Sequence, residues 1–299
     1  MIEPLSQFWR SLREAMQLRH LRYFVALARH RHFARAAAEC GVSQPTLSAG
    51  LVALEQELGK RLVERDRRFV GLTEQGEAML PWAEQILGAM GSMTQAVAAT
   101  SAPLSGPFRL AAIPSALPLV GRFGAALLQR YPGLSLAVQQ APSRQIEQDL
   151  AALSCDAGLT YLDHDPPAHV VAVPLAEEGF LHVAPPGGDW GEEGAVVEWA
   201  AAAARPLVLL HGGMQYRRIL DAQFAARGLS ATPRAVADSL VALLSLVGSG
   251  QFATIVPDGY ARLVEGLAGF DVRPMAADIH PAQRLGLVVL DRQPMGPLA

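Results

Sequence analysis

A chain of 299 residues, 51% hydrophobic and 18% charged, has material for about two domains with real cores, which excludes a largely disordered protein. Its apolar runs, such as 240–247, are too short to span a bilayer, residues 1–15 lack a secretory apolar core, and Cys40 and Cys155 form no disulfide framework, so a soluble cytoplasmic protein is expected. The net charge of −3 hides an asymmetry: residues 1–74 hold 12 Lys and Arg against 8 Asp and Glu, while the remainder holds 13 against 20. A basic head on an acidic body suggests a polyanion partner for the head.

Leu18, Leu21, Phe24, Val25 and Ala28 recur at helical spacing, which predicts an amphipathic helix over 18–30. Residues 33–40 read as a second, alanine-rich helix broken by Gly41. A third helix is expected after Ser43, a good N-cap, with Pro45 in the first turn and Gly59 as the stop. Residues 60–73 read as two short extended pieces around the basic turn 65–68. A long helix follows from the cap Thr73 to about Ala99, with Pro81 as a place for a kink. The segment 101–107, SAPLSGP, reads as a linker. Beyond it, strands are expected at 108–113, 134–140, 157–162, 170–175, 180–185, 206–211, 253–257 and 285–290. Helices at about 114–131, 143–153, 215–227 and 238–249 alternate with them, which predicts a parallel-rich α/β architecture.

The spacing of Ala37, Gly41 and Leu47 carries the most information. A helix-turn-helix needs a small residue where its helices cross, a left-handed residue in the turn and an aliphatic side chain on the second helix facing the first. Phe33, Val42 and Leu51 complete the miniature core. In that motif the start of the second helix enters the major groove, presenting Gln44, Thr46 and Ser48 to base edges. Gln44 suits adenine and the Thr46 methyl suits thymine. Ser43 and the free N–H groups around Pro45 favour a phosphate, while Arg65, Arg67 and Arg68 would grip the backbone.

The run GVSQPTLS…LEQELGKRLVER…LTEQG resembles the winged helix-turn-helix of LysR-type transcriptional regulators, and FRLAAIPSALPLVGRF…RYPGLSLAV and SGQFATIVP are similar to that family's effector domain. The resemblance implies an N-terminal extension (1–15, with Met16 a natural first residue), a winged helix-turn-helix over 16–73, a linker or dimerisation helix and hinge over 74–106, and a periplasmic-binding-protein-like effector domain over 107–299. That domain would comprise two α/β subdomains, 107–173 with 267–299 and 174–266. Implied partners are double-stranded promoter DNA, a small-molecule effector, a second subunit joined through the linker helix, a homotetramer and RNA polymerase, with no membrane. The family often carries Arg and Gln after the recognition-helix serine; Ala49 and Gly50 stand here, removing a basic contact and placing a helix-weakening glycine in the reader.

Effector-binding candidates are Ser115 and Ser143, each following a strand at the start of a helix, where hydroxyl and N–H groups can hold a carboxylate. On the opposite wall, His211, Gly212, Met214 and Gln215 follow the strand 206–211. A small organic anion is the expected ligand. Helix capping explains the two serines equally well, and a surface or core role is the simpler account of His211. No phosphate loop, nucleophile elbow or zinc cluster is present, so neither catalysis, metal nor cofactor is expected. The alternatives are a redox-responsive regulator using Cys155, or an α/β binding protein or enzyme that does not bind DNA.

Overall fold

A computed structural model describes residues 17–65, 69–101, 103–163, 166–187, 195–264, 269–276 and 283–298. The expected N-terminal extension, and the basic turn with Arg67 and Arg68, lie outside the described residues, as does the Arg65 side chain. The chain forms two compact units, one of residues to 98 together with 151–154, the other of the remainder.

In the first unit, helices α1 (Leu18–His30), α2 (Phe33–Cys40) and α3 (Gln44–Leu58) are followed by strands β1 (Val63–Arg65) and β2 (Phe69–Leu72) and by the long helix α4 (Glu74–Ala99). Gly41 takes the left-handed conformation at φ 70°, and the Val42 N–H closes onto the Ala37 carbonyl at 3.0 Å, so the turn forms as its sequence predicts. Leu21, Phe24 and Leu27 of α1 meet Leu47, Leu51 and Leu54 of α3 around Ala36 and Ala37, all buried. Each fully buried leucine of this set contributes about 1.5–3 kcal/mol. Helix α4 continues as an α-helix through Pro81 rather than ending there.

Gly50 has a packing role that its low helix propensity hides. A Cβ there would lie 2.6 Å from Tyr23 Cδ2 and 3.0 Å from His20 Cδ2, so the glycine lets α3 rest against two rings of α1. The close approach offsets the loss in helix propensity.

The segment 101–107, read as a linker, is part strand: β3 spans Ser105–Ala112, and Ser105 already pairs with Gly133. The proline in this stretch is tolerated for a specific reason. The Arg109 N–H donates to the Asp156 carboxylate and the Arg109 carbonyl accepts from the Asp156 N–H, both on the side of strand β5 (Ala157–Tyr161), so Pro107, two residues earlier, faces that same side. Strand β5 flanks β3 only from Leu110 onward, and no ladder bond is missed at Pro107.

After β3 a short 3₁₀ turn (Pro114–Ala116) leads into α5 (Leu117–Arg130), β4 (Gly133–Gln140), α6 (Ser143–Ala151), β5 (Ala157–Tyr161) and β6 (Val170–Glu178). Then come β7 (Phe180–Ala184), α7 (Trp199–Ala203), β8 (Val208–Leu210), α8 (Gln215–Ala225), β9 (Ala235–Ala237), α9 (Leu240–Val247), β10 (Thr254–Pro257), α10 (Ala261–Val264), β11 (Asp271–Pro274) and β12 (Gln283–Leu290). One sheet has the order β4-β3-β5-β12-β6, a second β10-β7-β11, and β8 pairs with β9. Pairing is mixed rather than parallel-rich: β3 runs parallel to β4 and β5, but β12 is antiparallel to β5 and β6, and β7 is antiparallel to β10 and β11. Strand β6 stays in the first sheet to Glu178, so the crossover to the second falls at Gly179, past the division expected at 173/174.

Gly50→Ala is expected to lower the stability of the first unit by about 1–2 kcal/mol, the overpacking strain exceeding the gain in helix propensity. Urea unfolding followed by helical circular dichroism measures it. An unchanged midpoint would show that Tyr23 swings aside freely.

Candidate DNA-reading helix and effector cleft

Helix α3 is half core and half surface. Leu47, Gly50, Leu51, Leu54 and Glu55 are buried, while Gln44, Pro45, Thr46 and Ala49 are exposed and Ser48 is half-buried. Ser43 caps the helix as expected: its Oγ accepts from the Thr46 N–H at 3.3 Å and lies 2.8 Å from Thr46 Oγ1. The sequence-predicted reading residues therefore stand together on one solvent-facing turn.

Two polar devices tie neighbouring elements of this unit together, and the sequence reading passed over both. Glu39 on α2 binds Arg29 Nη1 at 3.2 Å and His30 Nε2, tying the end of α1 to α2. Glu55, buried on α3, accepts the Leu62 and Val63 N–H groups on one carboxylate oxygen at 3.0 and 3.2 Å. The wing thus starts from a fixed point on the reading helix. Neither role is legible from composition, because both residues look like ordinary surface acids of a helix.

In the second unit a narrow groove, partly open to solvent and with a cavity volume of about 10 Å³, is lined by Ile113, Pro114, Ser115, Pro142, Ser143, Leu210, Met214, Gln215 and Tyr216. Four of the six residues expected to bind an effector, Ser115, Ser143, Met214 and Gln215, come together here from separate elements. His211 and Gly212 do not join the lining; they sit exposed in the turn between Leu210 and Met214, and His211 Nδ1 accepts from the Gly213 N–H at 3.1 Å. Arg217 and Arg218 serve their own surroundings, the first binding Asp221 and the Leu210 carbonyl, the second the Gly213 carbonyl.

Among the described residues no charged side chain lines the groove. Three helical starts border it: the turn entering α5, the first residue of α6 and the first residue of α8. Ser115 is 1% exposed and its Oγ makes no hydrogen bond of ordinary length, although the Tyr161 hydroxyl stands near it. Gln215 Oε1 accepts from Thr160 Oγ1 at 3.4 Å. Beneath lie Tyr161, bonded to Glu178, and Tyr260, which donates to the Pro114 carbonyl at 2.6 Å. These floor residues escaped the sequence reading because each sits in or beside a strand, where alternation marks burial but not what the buried side chain faces. Among the described residues no group of three His, Cys, Asp or Glu could hold a metal ion.

Cys155 is buried beside β5 and does not line the groove. Burial pushes its thiol up to about 12, with Asp149 and Asp156 adding to the shift. Such a thiol is almost entirely protonated at neutral pH and therefore a poor nucleophile toward an oxidant.

Residues 18–77 match the bacterial regulatory helix-turn-helix of the lysR family, and residues 101–299 match the LysR substrate binding domain. A probable hydrogen peroxide-inducible genes activator from Mycobacterium avium is 35% identical over 90% of this chain and 86% of its own length. The DNA-binding transcriptional dual regulator OxyR of Escherichia coli is 31% identical over 81% of this chain and 79% of its own. Among solved structures, a full-length, cysteine-substituted OxyR from Pseudomonas aeruginosa superposes with a TM-score of 0.71 at 26% identity, covering 95% of this chain and 91% of that one. The LysR regulator CbnR in complex with target DNA shares the fold at a TM-score of 0.71 and 22% identity, covering 95% and 96%.

Brief treatment of the native protein with a maleimide near neutral pH is expected to modify Cys40 before Cys155, which should react only on unfolding; peptide mass spectrometry reads both sites. Fast labelling of Cys155 would restore a thiol-based reading of this chain. Helix-turn-helix, effector domain and full-length relatives agree, and the chain belongs to the LysR family of bacterial transcriptional regulators.

Proposed function

We propose that this regulator binds promoter DNA sequence-specifically through α3 and responds to a small organic anion held in the groove of its second unit. The observation that carries the DNA half is the exposed turn Gln44–Thr46 on a helix whose opposite face is core. Gln44, Thr46 and Ser48 read base edges in the major groove. Ser43, the helix start at Pro45 and the wing arginines Arg65, Arg67 and Arg68 contact phosphates. Exposed Trp82, Ile86, Met90, Met93 and Val97 recur along α4 at three- and four-residue spacing, which suits pairing with the same helix of a second copy. A homodimer through α4, assembly into a homotetramer, contact with RNA polymerase and a cytoplasmic location complete the proposal. No helix among the described residues is long and apolar enough to cross a membrane.

The effector half rests on the buried Ser115 hydroxyl, set beside three helical starts in a neutral wall rich in donors. Ser115, Ser143 and Gln215 provide the polar contacts, Met214 an adaptable apolar one, and His211 with Gly212 the exposed turn beside them. A second reading comes from the relatives named for hydrogen peroxide induction. Against a thiol mechanism here stands the groove itself, which holds neither of the chain's two cysteines. The relatives are transcriptional regulators, and we assign no catalytic step.

Two measurements test these halves. With DNA from upstream of the gene, Gln44→Ala should narrow the gap between specific and random sequence by about 1–3 kcal/mol at one base pair. Arg67→Ala with Arg68→Ala should weaken both alike and flatten the salt dependence. Identical losses from the two changes on both DNAs would remove the reading role of α3. For an anion found by thermal-shift screening, Ser115→Ala should weaken binding by about 1 kcal/mol or more in calorimetry; unchanged affinity would remove Ser115 from the site.

A further inference from the structure

Behind the groove lies a carboxyl that neither DNA reading nor effector contact uses. Glu178 ends β6, Gly179 follows, and Phe180 opens β7, so this backbone is the crossover between the two larger sheets. The Glu178 side chain is 4% exposed. From β5, the Tyr161 hydroxyl is hydrogen-bonded to Glu178 Oε2. From the turn after β10, the Asp258 N–H donates to the Gly179 carbonyl at 3.1 Å, and a Cβ on Gly259 would stand 3.4 Å from Glu178 Oε1. In the same turn Tyr260 reaches the Pro114 carbonyl, one residue before Ser115. One carboxyl thus touches the crossover, the strand beneath the groove and the turn of the second sheet.

The titratable groups facing Glu178 are Tyr161 from β5 and Asp258 and Tyr260 from that turn; across β12 its register partner is Gln283, which does not titrate. Burial holds the carboxyl well above the usual glutamate range; the Tyr161 bond works against that and the Asp258 charge adds to it. A neutral carboxyl suits this position. An anion would sit desolvated against a like charge.

We infer that Glu178 is a proton-carrying hinge residue: the crossover rests against the turn 258–260 with the carboxyl neutral, and loss of the proton loosens that contact. Through Tyr260 and Pro114 the same contact supports the wall carrying Ser115, so pH acts on the joint that frames the groove. The inference depends on the crossover geometry and not on which effector binds.

The sign follows from linkage. A carboxyl raised on folding contributes its stability fully below the ordinary glutamate value of about 4.3 and loses it as pH climbs to the folded value. Local opening at the crossover should therefore become easier with rising pH. Hydrogen exchange of the full-length protein, corrected for intrinsic rates, is read on peptides covering 176–184 and 254–264 between about pH 5 and pH 9. In the wild type, protection should fall by up to ~10-fold per pH unit and then level off where the folded carboxyl ionises. Glu178→Gln should hold protection flat. Asp258→Asn, at an exposed position, should move the levelling point to lower pH, and Tyr161→Phe should move it higher. A wild-type profile parallel to that of Glu178→Gln would overturn the inference, as would levelling points that shift the same way in the other two variants. Should the glutamine variant fail to fold, the opposed shifts decide by themselves.

Discussion

Where Gly50 meets the rings of Tyr23 and His20, α3 comes closer to α1 than a residue with a Cβ would permit. That approach seats Leu47, Leu51 and Leu54 in one core with Leu21, Phe24 and Leu27. Seating those leucines turns Pro45, Thr46 and Ala49 outward, since residues three to four apart share a helix face, while Gln44 is exposed as the first residue of the helix. The reading surface is a consequence of the packing surface. Glu55 extends the same logic to the wing, because its carboxylate fixes two backbone N–H groups at the start of β1 relative to α3. At Gly50 the helix gives up helix propensity for closer packing.

The second unit is organised around neutrality. Its groove is bordered by helical starts and hydroxyls and, among the described residues, lined by no charged side chain, while the nearest carboxyl below, Glu178, is held above its usual range by burial. An ionised acid at that depth would oppose an anionic ligand and would itself lack solvation. Tyr161 bonds the acid within the first sheet, and Tyr260, from the turn after β10, donates to the Pro114 carbonyl after β3 and so links the second sheet to the first. The aromatic contacts of Phe180 with Trp199 and Tyr216 continue this contact from the crossover to the groove lining.

Some relatives of this chain are named for hydrogen peroxide induction, yet thiol chemistry depends on local environment rather than on descent. A cysteine reacts through its thiolate, which burial and neighbouring acids disfavour at Cys155. Gln215 occupies the buried first position of α8 in the groove. The fold of the family is retained, and the described groove lining presents amide, hydroxyl and backbone groups.

Much of the first unit was legible in the residues alone, because its helices are defined by short-range rules: Ser43 as a cap, Gly41 in the left-handed turn and leucines at helical spacing. Single-chain patterns also marked four groove residues, each at the point where a strand hands over to a helix. Pairing direction was not legible: an apolar run such as Leu285–Leu290 reads alike in a parallel or antiparallel ladder, and only its neighbours β5 and β6 make it antiparallel. The short pieces α7, β9 and β11 carry too few residues for a periodicity to show. Gly50 looked like a weakness, and Glu55 and Glu178 like surface charge, because helix propensity and composition describe a residue's own backbone. What each of them faces comes from distant parts of the chain, and burial against those partners, which no local pattern encodes, decides whether a glycine is a defect or a contact and whether an acid carries a charge or a proton.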